Sequence, residues 1–425
     1  MMRQALSLLS HQPYVAESMS ESISTPSTTV CKHFGECGGC QHQDAAYAAQ
    51  LTEKVRVLEE GFAPFWSEPI PIEPSPEIWH YRNKIDPSFA GRYYEEPPPK
   101  GFDRELVIGF KKRWYWTIDL EECLIAPEGA GALLAAVRGW GRAEQLKPFD
   151  TRGGNADGFV RLLLVREGKR TGERMVVLFT NEGAFAADGF LDAVRSAFPA
   201  QSVQRAVFTG KGEVMGADRI DVLEGAPHIY EELHIGEGDM QRRIRFRISP
   251  LSFFQTNTLA AERLYAQVRD CVSEIAPGHL YDLYGGSGAF AFVCSDLAES
   301  IDSVEEVAPA TEDGEYNAVL NGIDNVTFTN AKVEHYLRDA VAGEIPFDRE
   351  ATVIADPPRP GFHPKALRRL LELGPRNLIY VSCKHTELLR EMPAILEQYR
   401  LTDLKAVDMF PHTNHVEVLA RFERV

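Results

Sequence analysis

From about residue 249 to the C-terminus, seven short apolar runs alternate with stretches of helical periodicity. The runs are His279–Leu283, Ser300–Glu305, Asn325–Asn330, Ala351–Asp356, Leu378–Ser382, Leu401–Asp408 and Glu417–Phe422. Strands separated by helices return through crossovers rather than tight hairpins, so neighbours run parallel and the expected architecture is a doubly wound α/β sheet. A helix over Leu259 to Ile275 leads into it. Such sheets bind ligands at the carboxyl ends of their strands, so the residues just after each run are the first candidates for chemistry.

The rest of the chain reads differently. Its 425 residues suffice for two or three domains. Residues 1–30 are expected to form a flexible leader, with Ser, Thr and Glu dominating Glu17 to Thr29. Residues 31–248 form a β-rich central region and residues 249–425 the catalytic α/β domain. Within the central region Tyr47, Leu51, Val55, Leu58 and Phe62 mark a helix, which the Pro-rich stretch Pro64 to Pro76 ends. Leu106–Phe110, Trp114–Ile118, Phe159–Val165 and Met175–Phe179 are expected strands, and Glu95 to Pro99 a surface loop. No apolar stretch reaches the ~20 residues of a membrane span, and the N-terminus lacks a signal-peptide core, which points to the cytoplasm. A net charge of −17 argues against nonspecific coating of nucleic acid but leaves room for a local basic groove.

Cys31-x5-Cys37-x2-Cys40 encloses Gly38-Gly39, which lets the backbone curl until several sulfurs converge. Cys123 is the one further cysteine before the catalytic half. An odd total of seven, without a secretion signal, argues for metal binding and catalysis rather than disulfides. Four thiolates take either a tetrahedral zinc or an iron–sulfur cluster, and the spacing leaves both open.

In the catalytic half, Asp282 to Gly288 (DLYGGSG) is a glycine-rich turn after a strand, where backbone amides approach a nucleotide-like ligand. Glu305 closes the next run, where a carboxylate holds ribose hydroxyls in such folds. The fit to a dinucleotide fingerprint is poor, which favours S-adenosylmethionine (SAM) over NAD. Asp356-Pro357-Pro358-Arg359 ends a strand in a rigid loop, since proline cannot continue a central strand. Cys383 follows another strand beside Lys384 and His385, with Arg359 a further candidate, and cations favour a nucleophilic thiolate. In Asp408 to Glu417, Glu417 or a histidine is a candidate general base. Gln255 and Asn257 stand beside Phe253 and Phe254, suited to flank an adenine or a flipped base. Arg243, Arg245 and Arg247 alternate with Ile244, Phe246 and Ile248, a strand whose arginine face either meets phosphates or is simply solvated. Lys111 to Trp116 poses the same choice.

With these segments in hand, the chain resembles the RNA uracil-5-methyltransferase family from about Cys31 to the C-terminus. The carriers are the C-x5-CGGC knuckle, YRNKI (Tyr81–Ile85), FFQTN (Phe253–Asn257), DLYGGSG, DPPRPG (Asp356–Gly361), YVSC (Tyr380–Cys383) and FPHTNHVE (Phe410–Glu417). The resemblance implies a Rossmann-like SAM-dependent methyltransferase domain and a β-rich central domain carrying an iron–sulfur knuckle. It also implies a [4Fe-4S] cluster on Cys31, Cys37, Cys40 and Cys123, a SAM pocket lined by Gln255, Tyr284, Glu305 and Asp356, Cys383 as nucleophile and Glu417 as base. Three departures stand out. The glycine turn lacks the usual Cys-Gly start, Lys384-His385 replaces Asn-Pro after the nucleophile, and the 30-residue leader has no room for the N-terminal RNA-binding β-barrel of many ribosomal members. The central domain is then expected to contact RNA.

Uracil C5 is a poor nucleophile. Addition of a thiolate at C6 makes an enolate, raises electron density at C5 and requires a base to remove the C5 proton afterwards. The activity that the resemblance implies is 5-methyluridine formation in RNA, with 23S ribosomal RNA as the expected target and a monomeric enzyme. The competing readings are uridine-54 methylation in transfer RNA, a noncatalytic iron–sulfur RNA-binding protein, and an amino-methyltransferase that uses the Asp-Pro-Pro loop and needs neither Cys383 nor Glu417.

Overall fold

The computed structural model of the protein describes residues 30–96, 98–99, 102–112, 116–149, 157–212, 215–238 and 241–425. The expected leader lies outside these residues, as do parts of the Glu95 to Pro99 loop and of the Lys111 to Ile118 segment. Among the described residues no helix is long and apolar enough to cross a membrane.

The chain starts with the cysteine knuckle and helix α1 (Tyr47–Phe62), followed by a two-residue strand β1 (Ile72–Glu73). Strands β2 (Lys84–Ile85), β3 (Ser88–Gly91), β4 (Leu106–Gly109), β5 (Val160–Glu167), β6 (Arg174–Thr180), β7 (Ser202–Val207) and β8 (Arg219–Gly225) form the central sheet. Its order is β4-β3-β5-β6-β7-β8, with β2 also on β5. Sequence periodicity predicts strands throughout this region, yet two helices interrupt them: α2 (Ala130–Ala143) and α3 (Ala187–Ala197). Their signal is a three-and-four spacing of buried residues: Ala130, Leu133, Leu134, Val137 and Trp140 in α2, Phe190, Leu191 and Val194 in α3. Helix α3 is the crossover that lets β6 and β7 run parallel.

Strands β9 (Ile229–Ile235) and β10 (Arg242–Ile248) form an antiparallel hairpin. Ile244, Phe246 and Ile248 enter a core that runs from Leu164 and Phe179 of the central sheet to Val381 and Leu419 of the catalytic one. The other face of β10 packs on a helix. Arg247 Nε donates to Asp313 at 2.7 Å with its guanidinium 3.9 Å from the Tyr316 ring, and Arg245 stacks 4.4 Å over Tyr230. These two arginines are therefore engaged within the fold.

The catalytic half contains α4 (Thr258–Ile275), β11 (His279–Leu283), α5 (Ala289–Val293), β12 (Ser300–Glu305), α6 (Ala308–Asn321), β13 (Val326–Asn330), α7 (Val333–Val341), β14 (Thr352–Ala355), α8 (Pro364–Leu373), β15 (Asn377–Ser382), α9 (His385–Ile395), β16 (Tyr399–Val407) and β17 (Glu417–Arg424). Asn257 caps α4 by accepting from the Ala260 amide, and Ala276 ends it in the left-handed region at φ +50°. The sheet order is β1-β16-β17-β15-β14-β11-β12-β13. β11 to β15 are mutually parallel, as the alternation implies. β17 departs from that expectation and runs antiparallel to both β15 and β16. No helix occupies residues 408–416, so β16 and β17 are joined as a hairpin and must oppose each other.

The N-terminal segment is built into this sheet. β1 pairs in parallel with β16, and Leu58, Phe62 and Ile70 bury against its face with Leu401 and Leu404. Asp408 is fully buried, 2.6 Å from Lys54 Nζ and 2.9 Å from the Tyr47 hydroxyl. Removing Lys54 alone would strand that carboxylate, a loss of about 3–5 kcal/mol in comparable buried pairs.

Candidate active site

The antiparallel turn of β17 assembles the site. Because β17 opposes β15, its start lies beside the end of β15: Ser382 pairs with Val418 in the ladder, and the residues just beyond that pair are Cys383 and Glu417. Glu417 and Cys383 are thereby brought to one edge from positions 34 apart in the chain. Along that edge, in sheet order, come Glu417 (β17), Cys383 (after β15), Asp356 (after β14), Tyr284 (after β11) and Glu305 (end of β12). All five line one cavity of about 540 Å³, together with Gln255, Phe253, Thr256, Arg359 and Arg82. Gln255, Tyr284, Glu305, Asp356, Cys383 and Glu417 thus share a single cavity.

Each is held by neighbours the fold supplies. Glu305 accepts from the Gly286 amide at 3.1 Å and the Val307 amide at 2.7 Å, which fixes its carboxylate at the cavity wall. The glycine turn is tight: a Cβ on Gly285 would sit 2.1 Å from Ser303 Oγ and 2.8 Å from Asp282 Oδ2, so a larger residue there requires those side chains to shift. Tyr284 adopts φ +65°, and its buried hydroxyl makes no hydrogen bond; nor does Thr256 Oγ1. Asn257, by contrast, caps α4 and bonds to Ser75 and to the Met409 carbonyl, so of this segment Phe253, Gln255 and Thr256 face the cavity.

Burial dominates the electrostatics. Asp356 keeps part of its surface open to the cavity, yet lies deep enough that desolvation and the charge of Asp282 push its pKa up to about 7. Glu417 is buried, and desolvation and Asp356 raise its pKa well above the ordinary carboxylate value. Its Oε2 has no hydrogen-bond partner. Both carboxyls therefore favour the protonated form more than an exposed carboxyl does. The Cys383 thiol is pushed up to about 12 by burial and by Glu417 and Asp356, while Arg359 acts in the opposite direction. Lys384 is turned away to Glu387 at 2.6 Å, and burial lowers the pKa of His385. The sequence pointed to three cations near the thiol; Arg359 is the one that opposes its rise.

A family model described as tRNA (uracil-5-)-methyltransferase matches residues 217–424. An uncharacterized RNA methyltransferase of Caldanaerobacter subterraneus subsp. tengcongensis is 31% identical over 408 residues, covering 93% of this chain and 84% of that protein. The chain belongs to the RNA uracil-5-methyltransferase family. A second relative, an uncharacterized RNA methyltransferase of Chlorobaculum tepidum, is 33% identical over 417 residues, covering 93% of this chain and 83% of that one. Among solved structures, the tRNA (uracil-54, C5)-methyltransferase of Pyrococcus abyssi in complex with S-adenosyl-L-homocysteine superposes with a TM-score of 0.69 at 27% identity, over 91% of this chain and 86% of that one.

The other sequence-derived site in this RNA methyltransferase is the knuckle. Cys31, Cys37, Cys40 and Cys123 line a second cavity of about 520 Å³ with His33 and Gln43. No cysteine forms a disulfide among the described residues. Nor do three or more His, Cys, Asp or Glu side chains there converge as a single metal ion would require. The knuckle is fastened to the loop between β16 and β17, for the amides of Gln41 and His42 both donate to the His412 carbonyl, at 2.7 and 3.1 Å. His412 stacks on Trp79 at 4.0 Å and bonds to Gln50, while His415 faces Arg359. Of the groups in this loop offered as a base, Glu417 lines the cavity.

Two contributors escaped sequence reasoning. Asn83, in YRNKI, donates through Nδ2 to the Gln255 carbonyl at 2.7 Å and to Thr258 Oγ1 at 2.9 Å, holding the FFQTN segment at the cavity. Glu391, on α9, accepts from the Phe362 amide at 3.0 Å and the Tyr380 hydroxyl at 2.9 Å, tying down the Asp-Pro-Pro-Arg loop. A Cβ on Gly361 would lie 2.4 Å from the Glu391 carboxylate, which accounts for glycine there. The motifs contained Asn83 and Gly361, but their partners are distant in the chain and left no local signal.

Proposed function

We propose that this enzyme methylates C5 of a uridine in RNA with SAM as donor, through a transient bond between Cys383 and C6. The observation that carries the proposal is the placement of Cys383, Glu417 and Asp356 side by side at the end of three adjacent strands, in one cavity with the glycine turn and Glu305. The cavity suits SAM. Glu305 presents a carboxylate held by two amides, suited to a ribose diol. Gln255, Tyr284, Glu305 and Asp356 would hold SAM there, and when bound it supplies an electrophilic methyl group for C5.

The chain's own residues do the rest. Arg359 opposes the rise in the thiol's pKa and favours the thiolate as the substrate closes the cavity. The Sγ–C6 bond forms as the C5–C6 π pair shifts into C4–C5 and the C4–O4 π pair moves onto O4, where Arg359 would stabilise the enolate. Glu417 later takes the C5 proton. The C–H pair rebuilds the double bond and Sγ leaves with its own electrons. Burial and the charge of Asp356 raise the Glu417 pKa, which makes its carboxylate a stronger base toward that proton once it is ionised. The target base must leave its stack, which favours a loop uridine. We retain ribosomal RNA as the expected substrate; the transfer-RNA reading has the Pyrococcus abyssi neighbour in its favour. Incubation of the enzyme with labelled SAM and each RNA class, followed by nucleoside mass mapping, should yield 5-methyluridine in ribosomal RNA. Product in transfer RNA alone would reverse that assignment, and product in neither would remove the activity.

Cys31, Cys37, Cys40 and Cys123 are proposed as ligands of a [4Fe-4S] cluster. Two thiolates on one zinc lie only about 3.8 Å apart, given tetrahedral bonds of about 2.3 Å. The four thiols line one cavity of about 520 Å³, which leaves room for a multi-atom group. Its role would be structural, through the knuckle's grip on the loop that leads to Glu417. Protein purified without oxygen should contain about four irons per chain with matching sulfide. Stoichiometric zinc with no iron would refute the cluster.

Asp356 gives a pH test. Its folded pKa, about 7, lies above the unfolded value of 3.8, so the folded state keeps a proton that the unfolded chain has lost. The contribution to stability is full below about pH 4, declines as pH rises and is gone above about pH 7. Asp356→Asn should therefore melt higher than wild type at pH 8 and no higher at pH 4. An equal shift at both would show that the effect is not titration.

A further inference from the structure

Arg82 belongs to the walls of both cavities, the one that contains Cys383 and the one ringed by the four thiols. Its backbone is fixed from both sides. The Arg82 amide donates to the Ile125 carbonyl at 3.0 Å, two residues beyond Cys123, and the next residue, Asn83, is locked to Gln255. Its side chain is less committed. Nε donates to the Lys84 carbonyl at 3.3 Å, and no carboxylate pairs with the guanidinium among the described residues. In an acidic chain many arginines find such a partner, as Arg138 does in Asp119, Arg170 in Glu262 and Arg247 in Asp313. A half-buried guanidinium left without one, at the junction of two openings, is placed to receive an anion from outside.

Two further side chains extend the line. Lys112 lines the thiol cavity, with its ammonium 3.8 Å from Glu36 in a loose, exposed pair. Phe253 lines the catalytic cavity and is 61% exposed, unusual for a ring of that size. The sequence cation, cation, aromatic along one surface is the pattern that binds single-stranded nucleic acid, with phosphates on the charges and a base on the ring.

We infer that the RNA strand leaves the catalytic cavity across Arg82 toward the thiol cavity, with the Arg82 guanidinium binding a phosphodiester beside the target uridine. This rests on the proposal that the substrate is RNA, and adds which face of the protein the strand follows. Direction comes from geometry: Arg82 is shared by the two cavities, so a strand bound there passes the rim on which Lys112 stands. The Arg82 guanidinium and the Lys112 ammonium place two positive charges on a wall that also carries Asp86 and Glu122, in a protein whose overall charge repels polyanions.

The test measures RNA affinity as a function of salt, and SAM affinity, for wild type, Arg82→Ala and Arg82→Lys. RNA binding by Arg82→Ala should weaken about tenfold to a hundredfold, as for loss of a charge-assisted hydrogen bond. The slope of log K against log salt should become shallower by about 0.7–1. SAM affinity should not change. Arg82→Lys should recover the salt slope but only part of the affinity, since an ammonium lacks the bidentate fork. A second arm leaves the wild-type protein untouched: RNA carrying one neutral methylphosphonate beside the target uridine should lose affinity for wild type and lose nothing further with Arg82→Ala. Weaker SAM binding by Arg82→Ala with an unchanged RNA salt slope would overturn the inference and make Arg82 a cofactor residue. Additive losses from the methylphosphonate and Arg82→Ala would overturn it as well. If wild type binds no RNA at all, the proposed function fails instead, and the two failures are distinct.

Discussion

Cys383→Ala should lose methyl transfer by about 10⁴-fold or more and form no covalent complex with RNA that carries 5-fluorouridine at the target position. The size follows from removing the group that makes C5 nucleophilic, for which the remaining binding contacts offer no substitute. Fluorine cannot be abstracted as a proton, so wild type should be trapped on the same RNA as a complex that survives denaturing electrophoresis. SAM binding should persist in the variant, since Cys383 is not among the residues proposed to hold the cofactor. A persistent adduct in Cys383→Ala would place the nucleophile elsewhere. Methyl transfer at the wild-type rate would favour the amino-methyltransferase reading, which has no use for this thiol.

Glu417→Gln should fall in turnover by about 10²–10⁴-fold, the usual contribution of a positioned base, and should fail at a different step. With ordinary RNA and SAM the thiol still adds and the methyl group still transfers, but the C5 proton stays. A methylated protein–RNA adduct should therefore accumulate with unmodified RNA, where wild type shows little. The substitution is nearly isosteric at a position that is 2% exposed, and Oε2 makes no hydrogen bond that an amide would break. Normal turnover without adduct would move the base role to another group, and His415, beside Arg359, is the next to test. The pair of experiments also bears on the noncatalytic reading, under which neither variant differs from wild type.

The elements of the catalytic half were legible because each carries its own local signal. The runs His279–Leu283 and Ser300–Glu305 coincide with β11 and β12, and the helix expected over Leu259 to Ile275 begins one residue earlier. The central region was read less completely. Helices α2 and α3 sit between strands with strong β patterns, and the alanine-rich face of α2 looks weakly apolar until Trp140 and Leu133 are seen buried beneath it. The arginine stripe of β10 was ambiguous for a different reason. Alternation reveals that one face is basic, but not that Asp313 and Tyr316 of a helix some seventy residues on would cover it.

At the site, the residue types and their positions at strand ends were available from the chain alone, because glycine turns, Pro-interrupted strands and a cysteine after a strand are local features. What they do together was not. The sequence alone determined a doubly wound sheet with candidate groups at its carboxyl edge, and family motifs that bound the chemistry. Only the tertiary structure decided that β17 turns back against β15, which sets Glu417 beside Cys383, and that burial with neighbouring carboxylates drives the thiol's pKa up rather than down. It alone showed Asn83 holding Gln255 from 172 positions away and Arg82 standing between two cavities. The physical reason is the same in each case: periodicity reports which face of an element is apolar, whereas strand direction, desolvation and long-range hydrogen bonds depend on which elements the packed chain makes neighbours.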